Sequence, residues 1–353
     1  MGKDVNGRDL SIVKVLLGFI VVVLAVYILK LLSALFIPLT VALLLYFLFN
    51  HTVKRLTSRR VPTVLVLIFL MAFIFVVLYL FGLLLYTGVS TFVSEFPEYS
   101  QRLTRLATTF LHHLKVPLKD VESFTDKIDW RNMLNSGQLT AVVGSTLGPF
   151  TSFISNLFLV LLYLMFMLGE RQELSSRLRA TTRINERQKE KMMATVDSIE
   201  LRVQRYLKIK TLVSLATAVL GGLILYLGRF DFVIFSALLI FVLNYIPNFG
   251  SIVATIFPVA MGLVKFGLAP RVVLVAIGLM VLQFVMGNVL EPIWTGRSLK
   301  LSPLLILFAL IFWGWVWGFV GMMLAVPMMS ALKIVLDQFE GLKTVSLFMG
   351  SEE

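Results

Sequence analysis

PTVLVLIFLMAFIFVVLYLFGLLLYTGVST, Pro62–Thr91, runs for thirty residues without one Asp, Glu, Lys or Arg. A helix of about 20 apolar residues, rising 1.5 Å per residue, crosses the ~30 Å hydrocarbon core of a bilayer. A helix that is apolar all round needs an apolar surrounding on every side. Pro62–Thr91 therefore reads as a membrane span. Further charge-free runs lie at Leu31–Asn50, Phe150–Gly169, Thr211–Gly228, Phe232–Val264, Val272–Leu290 and Pro303–Leu332. The whole chain follows the same pattern: 58% of its 353 residues are hydrophobic and 15% are charged. Soluble domains carry about a quarter charged residues. The expected fold class is all-α, a polytopic transmembrane helix bundle.

The first apolar run is awkward. Val15–Leu29 ends at Lys30, and Leu31–Asn50 follows at once. One helix from Val15 to Phe49 is too long for a single crossing, and two full spans are slightly short. Pro38 is the expected break between them, because proline removes a helical hydrogen bond. The polar start, MGKDVNGRDLSIVK, has no small-residue cleavage site after its apolar run. The first hydrophobic segment is therefore expected to be retained.

Charge sets the expected sidedness. Lys and Arg collect in cytoplasmic loops. Lys54, Arg55, Arg59 and Arg60 follow the second run, and Glu170–Lys210 holds eleven basic residues, Arg171 and Lys210 among them. Both segments should be cytoplasmic. Ser90–Thr146 is balanced, with Arg102, Arg105 and Lys115 set against Glu95, Glu98 and Asp120, and should be outside. The scheme requires Val15–Phe49 to cross twice, and both termini are then cytoplasmic, in an inner-membrane protein. The net charge of +12 is thereby used for topology, and no nucleic-acid partner is expected. The resulting plan has transmembrane helices in 1–89, an extracytoplasmic helical segment in 90–146 and a transmembrane helix in 147–169. A basic cytoplasmic helical segment in 170–210, transmembrane helices and hairpins in 211–340 and a cytoplasmic tail in 341–353 complete it.

Two regions are not ordinary spans. Phe232–Tyr245 and Ser251–Val264 flank Pro247-Asn248-Phe249-Gly250, and Pro303–Phe312 and Phe319–Met329 flank Gly314, Gly318 and Gly321. Each arm is short of a comfortable crossing, so each pair reads as a helical hairpin that enters the bilayer and turns back, or as tight surface loops. Short Gly/Pro-interrupted segments in two places point to a transport site. Trp313, Trp315 and Trp317 are expected to form an interfacial aromatic belt.

Outside the spans, Tyr99, Leu103, Leu106, Phe110 and Leu114 make an amphipathic stripe at spacings of three and four. In the basic segment Arg179, Arg183, Arg187 and Lys191 are four apart and share one helix face. Two readings stand for that stripe, contact with anionic lipid headgroups and a solvated face that fixes topology.

Enzymatic motifs are lacking. There is no cysteine, the three histidines form no plausible metal site, and no P-loop is present. No catalytic residue, metal or cofactor is expected, and transport would not be driven by ATP within this chain. Polar residues in apolar helices mark the candidate site instead: Asn244, Pro247 and Gly250 at the first hairpin turn, and Gln283, Asn288, Glu291, Pro292 and Gly296 further on. Glu291 ends an apolar run and precedes Pro292, which leaves a carbonyl of the preceding turn without its donor. A carboxylate, amides and freed carbonyls together can bind a cation, a proton or a polyhydroxylated solute. The alternative is an interfacial glutamate paired with Arg297 or Lys300.

The runs Asn244-Tyr245-Ile246-Pro247-Asn248-Phe249-Gly250, Gly287-Asn288-Val289-Leu290-Glu291-Pro292 and Trp317-Gly318-Phe319-Val320-Gly321, followed by Leu324-Ala325-Val326-Pro327, resemble the autoinducer-2 exporter family of permeases. Ile37-Pro38 and the order of spans around an external segment resemble it too. The resemblance implies a homo-oligomeric transporter, a pentamer, for a small polar solute or a cation. Some members are assigned to export of the quorum-sensing furanone and others to sodium(lithium)/proton antiport. Three functions follow: a gradient-driven or passive exporter or facilitator of a small polar solute, an antiporter using Glu291, and a non-transporting membrane scaffold.

Overall fold

A computed structural model describes residues 4–59, 61–113, 156–169, 185–295, 301–338, 346 and 349–350. Among these residues the chain is helical, with no strand, which is the all-α polytopic bundle expected. Helix is the only open-ended structure that satisfies every backbone polar group within itself in hydrocarbon. Among the described residues six helices are long and apolar enough to cross a membrane. The backbone groups into two compact units. One comprises Met1–Phe47, Leu162–Val203 and Lys300–Glu353, the other Leu48–Leu161 and Gln204–Leu299.

In the first unit, α1 (Asp4–Leu31) is followed by α2 (Ser33–Thr57), which runs into the second unit. Pro38 lies inside α2, so the expected break at Pro38 is not where the chain breaks. The interruption is the single residue Leu32, whose N–H bonds Ile28 O and whose carbonyl accepts from Phe36 N. The apolar part of α1 is Leu16–Leu31, about 24 Å long. The helix Asn156–Gly169, α4, lies mostly in this unit, as does the start of α5 (Glu186–Leu227).

The last helix, α10 (Pro303–Leu336), is capped by Ser302, whose Oγ accepts from Leu305 N at 3.2 Å. It is interrupted by non-helical dihedrals at Trp317 and Gly318, the latter at φ 62°. A Cβ on Gly321 would fall inside the carbonyl of Trp313, although eight residues of unbroken helix span ~12 Å. The two arms therefore fold back on each other at Trp317–Gly318, within the glycine-rich stretch expected to turn. The tryptophans do not act as one belt. Trp315 is exposed with Lys30 Nζ 3.8 Å from its ring centroid, whereas Trp317 is buried and donates from Nε1 to Leu29 O at 2.9 Å.

In the second unit, α3 (Thr63–His113) carries the apolar window Val64–Phe92 and continues well beyond it. The rest of the segment expected outside, 114–146, lies beyond the described residues, as do 170–184, Gly296, Arg297 and Lys300. The first hairpin is α6 (Val233–Leu243) and α7 (Phe249–Phe266). The expected arms were equal at about fourteen residues, but these have 11 and 18, or ~16 and ~27 Å. The longer reaches across most of a bilayer core and the shorter does not. The turn is sharp: Asn248 has φ 63°, and a Cβ on Gly250 would fall inside Leu243 O. From Pro270 the chain continues as α8 (Pro270–Phe284), a wide π-turn at Val285–Leu290 and the short α9 (Glu291–Thr295). Leu225, Phe230, Ile240, Ala254, Val272, Val275 and Leu279 form the apolar core joining α5 to the hairpin and α8.

Both ends of the hairpin are held against the far part of α3. Asp231, just before α6, accepts from Tyr99 Oη and pairs with Lys265 near the end of α7. Arg102 donates to Lys265 O at 3.4 Å and pairs with Glu98 at 2.6 Å. Burial, and then the hydrogen bond to the Asp231 carboxylate, pushes the Tyr99 phenol well above its ordinary range, so Tyr99 stays a donor. With its base fixed at Tyr99 and Arg102, the hairpin directs its turn toward the opposite end of the unit, where the candidate site lies.

Candidate functional site

The site starts on the buried face of α5. Val203, Tyr206, Lys210, Val213, Ser214 and Thr217 recur at helical spacing and are all buried. Lys210 thus points inward, although it closes a basic segment. Its Nζ donates to both oxygens of Glu291, at 2.6 and 2.8 Å. The lysine side chain is 4% exposed and that of the glutamate 20%. The partners expected for Glu291, Arg297 and Lys300, lie outside the described residues.

Glu291 is placed by a change of helical pitch. Pro292 has no N–H to give to the preceding turn. That turn widens from Val285 to Leu290, and the Glu291 N–H donates to Met286 O, five residues back. Such π-turns re-aim side chains and recur at functional sites. Here the result carries the carboxylate to Lys210.

The hairpin turn supplies the facing wall. Asn244, at the end of α6, is buried and donates from Nδ2 to Ser214 Oγ at 3.1 Å. Tyr245 Oη and Thr211 Oγ1 are 2.8 Å apart. Asn244 and Tyr245 thereby tie the turn to α5. Between turn, α5 and α8 lies a cavity of about 450 Å³. Asn244, Asn248, Ser251, Thr255, Gln283, Asn288, Lys210 and Glu291 give it polar lining, and Pro247, Ile252, Ile256, Met280 and Phe284 are among its apolar lining. Solute sites typically combine an apolar wall with a few convergent polar groups in this way.

The structure thus brings Asn244, Pro247, Gln283, Asn288 and Glu291 together around one cavity. Gly250 is buried behind it, pressed against Leu243. Pro292 is exposed and acts on the site through the π-turn, and Gly296 lies outside the described residues. Four polar lining residues are not among the site candidates read from the sequence: Lys210, Asn248, Ser251 and Thr255. A signal for Lys210 was present, since Ile199, Val203 and Tyr206 form an apolar stripe whose next position is 210. Ser251 and Thr255 are four apart on α7, the spacing of one helix face. Of the basic stripe, Arg187 and Lys191 are exposed on α5, while Arg179 and Arg183 lie outside the described residues.

A sequence signature matches this arrangement. The AI-2E family transporter signature covers residues 16–341. The chain belongs to the AI-2E transporter family. Full-length relatives agree. A "Putative transport protein" of Haemophilus influenzae is 31% identical over 98% of this chain and 99% of its own length. The AI-2 transport protein TqsA of Escherichia coli K12 is 30% identical over 95% of this chain and 94% of its own. The "Putative transport protein YrrI" of Bacillus subtilis is 26% identical over 88% of each. As an AI-2E family member this chain is a multi-pass membrane transporter, and its cavity is the place to look for the solute.

Proposed function

We propose that this protein carries a small polar solute of the autoinducer-2 class across the inner membrane, as an exporter or facilitator, gradient-driven or passive and without ATP. The observation that carries this reading is the cavity beside the Lys210–Glu291 pair. The two formal charges cancel, and the amides of Asn248, Gln283 and Asn288 with the hydroxyls of Ser251 and Thr255 offer donors and acceptors on several sides. A compact solute bearing several hydroxyls meets that lining well, and the name of the TqsA relative, AI-2 transport protein, points to the same solute. The antiporter reading requires Glu291 to be available to ions, and Glu291 is engaged by Lys210. The test is flux in liposomes holding the purified chain, with labelled autoinducer-2 and with neutral polyols. Protein-dependent flux down the solute's own gradient is expected without ATP. Flux no greater than in protein-free liposomes for every such solute would reject the reading.

Depth and sidedness are part of the same reading. Lys210 precedes the far end of α5, Leu227, by seventeen residues, about 26 Å, and follows the basic segment directly. The cavity then lies toward the cytoplasmic side, with the Tyr99–Asp231–Lys265 cluster outside. Both termini are assigned to the cytoplasm from the charge pattern. Exposed Arg187 and Lys191 are placed at anionic headgroups, worth about 1 kcal/mol each, and the protein is read as a homo-oligomer, a pentamer by family resemblance. Because the chain lacks cysteine, single cysteines report sidedness directly. An impermeant thiol reagent should label Ser94→Cys in intact cells and leave Ser58→Cys and Gly2→Cys untouched until the membrane is opened. Labelling of Ser58→Cys in intact cells would invert the topology, and labelling of Gly2→Cys would move the N-terminus outside.

A further inference from the structure

We propose that Lys210 is a tethered cation that occupies the place a coupling ion would take on Glu291, so that the solute site of this chain is closed to sodium. The proposal rests on the cavity being the solute site and adds what the site excludes. A largely buried carboxylate requires a compensating positive charge. In ion-coupled transporters that charge is exchangeable, held by carboxylates, freed carbonyls and broken helices. Comparable elements are present here: a carboxylate, a π-turn at Val285–Leu290 just before it, and the amides of Gln283 and Asn288 lining the same cavity. The cation on the carboxylate, however, is an ammonium that cannot diffuse away. It reaches both oxygens of Glu291, at 2.6 and 2.8 Å, from a helix that packs it to 4% side-chain exposure. Sodium arriving from either side would have to displace a group already held in place by α5. It would also leave the ammonium buried without an anion, at a cost of about 3–5 kcal/mol. Lys210 is thus a specificity-determining residue, and removing its charge should turn a sodium-indifferent site into a sodium site.

The test uses sodium as the probe and needs no knowledge of the solute. The purified full-length chain is compared with Lys210→Met and with Lys210→Met/Glu291→Gln, in sodium chloride and in choline chloride. The readouts are the melting temperature and equilibrium retention of radioactive sodium. The native chain should show no saturable sodium retention and equal melting in the two salts. Lys210→Met should bind sodium saturably and melt about 2 °C or more higher in sodium than in choline. The double variant, with neither charge, should again be indifferent. If Lys210→Met folds only in sodium, the proposal stands. If it fails equally in both salts while the double variant folds, the proposal falls. It falls equally if folded Lys210→Met retains no sodium, or if the native chain binds sodium in a manner that Glu291→Gln abolishes. A chain that shows no solute flux yet behaves as expected toward sodium would overturn the proposed function and leave this inference intact.

Discussion

Gly250→Ala should destabilise the protein strongly, while Gly278→Ala should not. At Gly250 a Cβ would sit inside the Leu243 carbonyl, with the Ile246 side chain 3.3 Å away. A backbone oxygen cannot move aside as a flexible side chain can, so the hairpin turn would have to open. Opening it separates Asn244 and Tyr245 from their hydroxyl partners on α5. A loss of about 3 kcal/mol, the upper end for overpacking and backbone strain, is expected at such a position. At Gly278, inside α8, the nearest foreign atom to a Cβ is Ile224 Cγ2 at 3.5 Å, an ordinary contact. Alanine there removes glycine's helix penalty of about 0.5–1 kcal/mol. Thermal aggregation followed by size-exclusion chromatography should place Gly250→Ala at least about 6 °C below the native chain and Gly278→Ala level with it or above. A Gly250→Ala protein as stable as the native one would show that the turn is looser than described. The same geometry disqualifies Gly250→Leu as a clean probe of the solute route. Loss of transport in that variant would be inseparable from loss of the turn.

Gly321 stands in the same relation to Trp313 that Gly250 has to Leu243. Each hairpin reverses where a glycine seven or eight residues downstream lets a backbone carbonyl approach its Cα. Asn244, Pro247 and Gly250, and then Asn288, Pro292 and Gly296, repeat one order of residue types, but the described parts of the two stretches differ. The second of those stretches holds a π-turn and a short helix. The order of residue types is therefore a poorer guide to a turn than the spacing between a glycine and the carbonyl it must clear.

Legibility followed the physical range of each signal. Spans were legible because the hydrocarbon acts on every residue of a run, so Pro62–Thr91 declares itself without context. Both interruptions were legible as glycine- and proline-containing breaks, but the arm lengths were not, since the arms of the first have 11 and 18 residues. The break in the first apolar run was misplaced because Pro38 is a strong local signal, yet α2 accommodates it, and Leu32 carries no local mark. Trp317 read as an interfacial residue because its partner, the carbonyl of Leu29, is 288 positions away. The amides and Glu291 stood out against apolar neighbours. Lys210 did not, because it ends a run of basic residues whose count was already accounted for by topology. Only its register on α5, in line with Val203 and Tyr206, separates it from Arg205 and Lys208, which are exposed.

Single removal of either charge of the buried pair should be far more damaging than removal of both. Glu291→Gln leaves an ammonium at 4% side-chain exposure facing an amide, and Lys210→Met leaves a carboxylate at 20% exposure without its counter-ion. Breaking a buried pair in this way costs about 3–5 kcal/mol, whereas replacing both members with neutral groups is often close to neutral. In a membrane the penalty is less easily relieved by water. Glu291→Gln and Lys210→Met, measured in choline chloride, should each melt well below the native chain, and the double variant should recover most of the difference. The two mutations would then be strongly non-additive, with an interaction energy near the top of the usual 0.5–3 kcal/mol range. Flux measured on the recovered double variant separates two roles. If the pair only holds α9 against α5, a folded double variant should carry solute at close to the native rate. If the ammonium and carboxylate also hydrogen-bond the solute, the double variant should be stable yet slow, with weakened apparent affinity. The cavity favours the second outcome, because both charged groups contribute to its lining rather than lying behind it. Additive losses in the two single variants, with no recovery in the double, would mean that the pair is not the electrostatic unit the geometry describes.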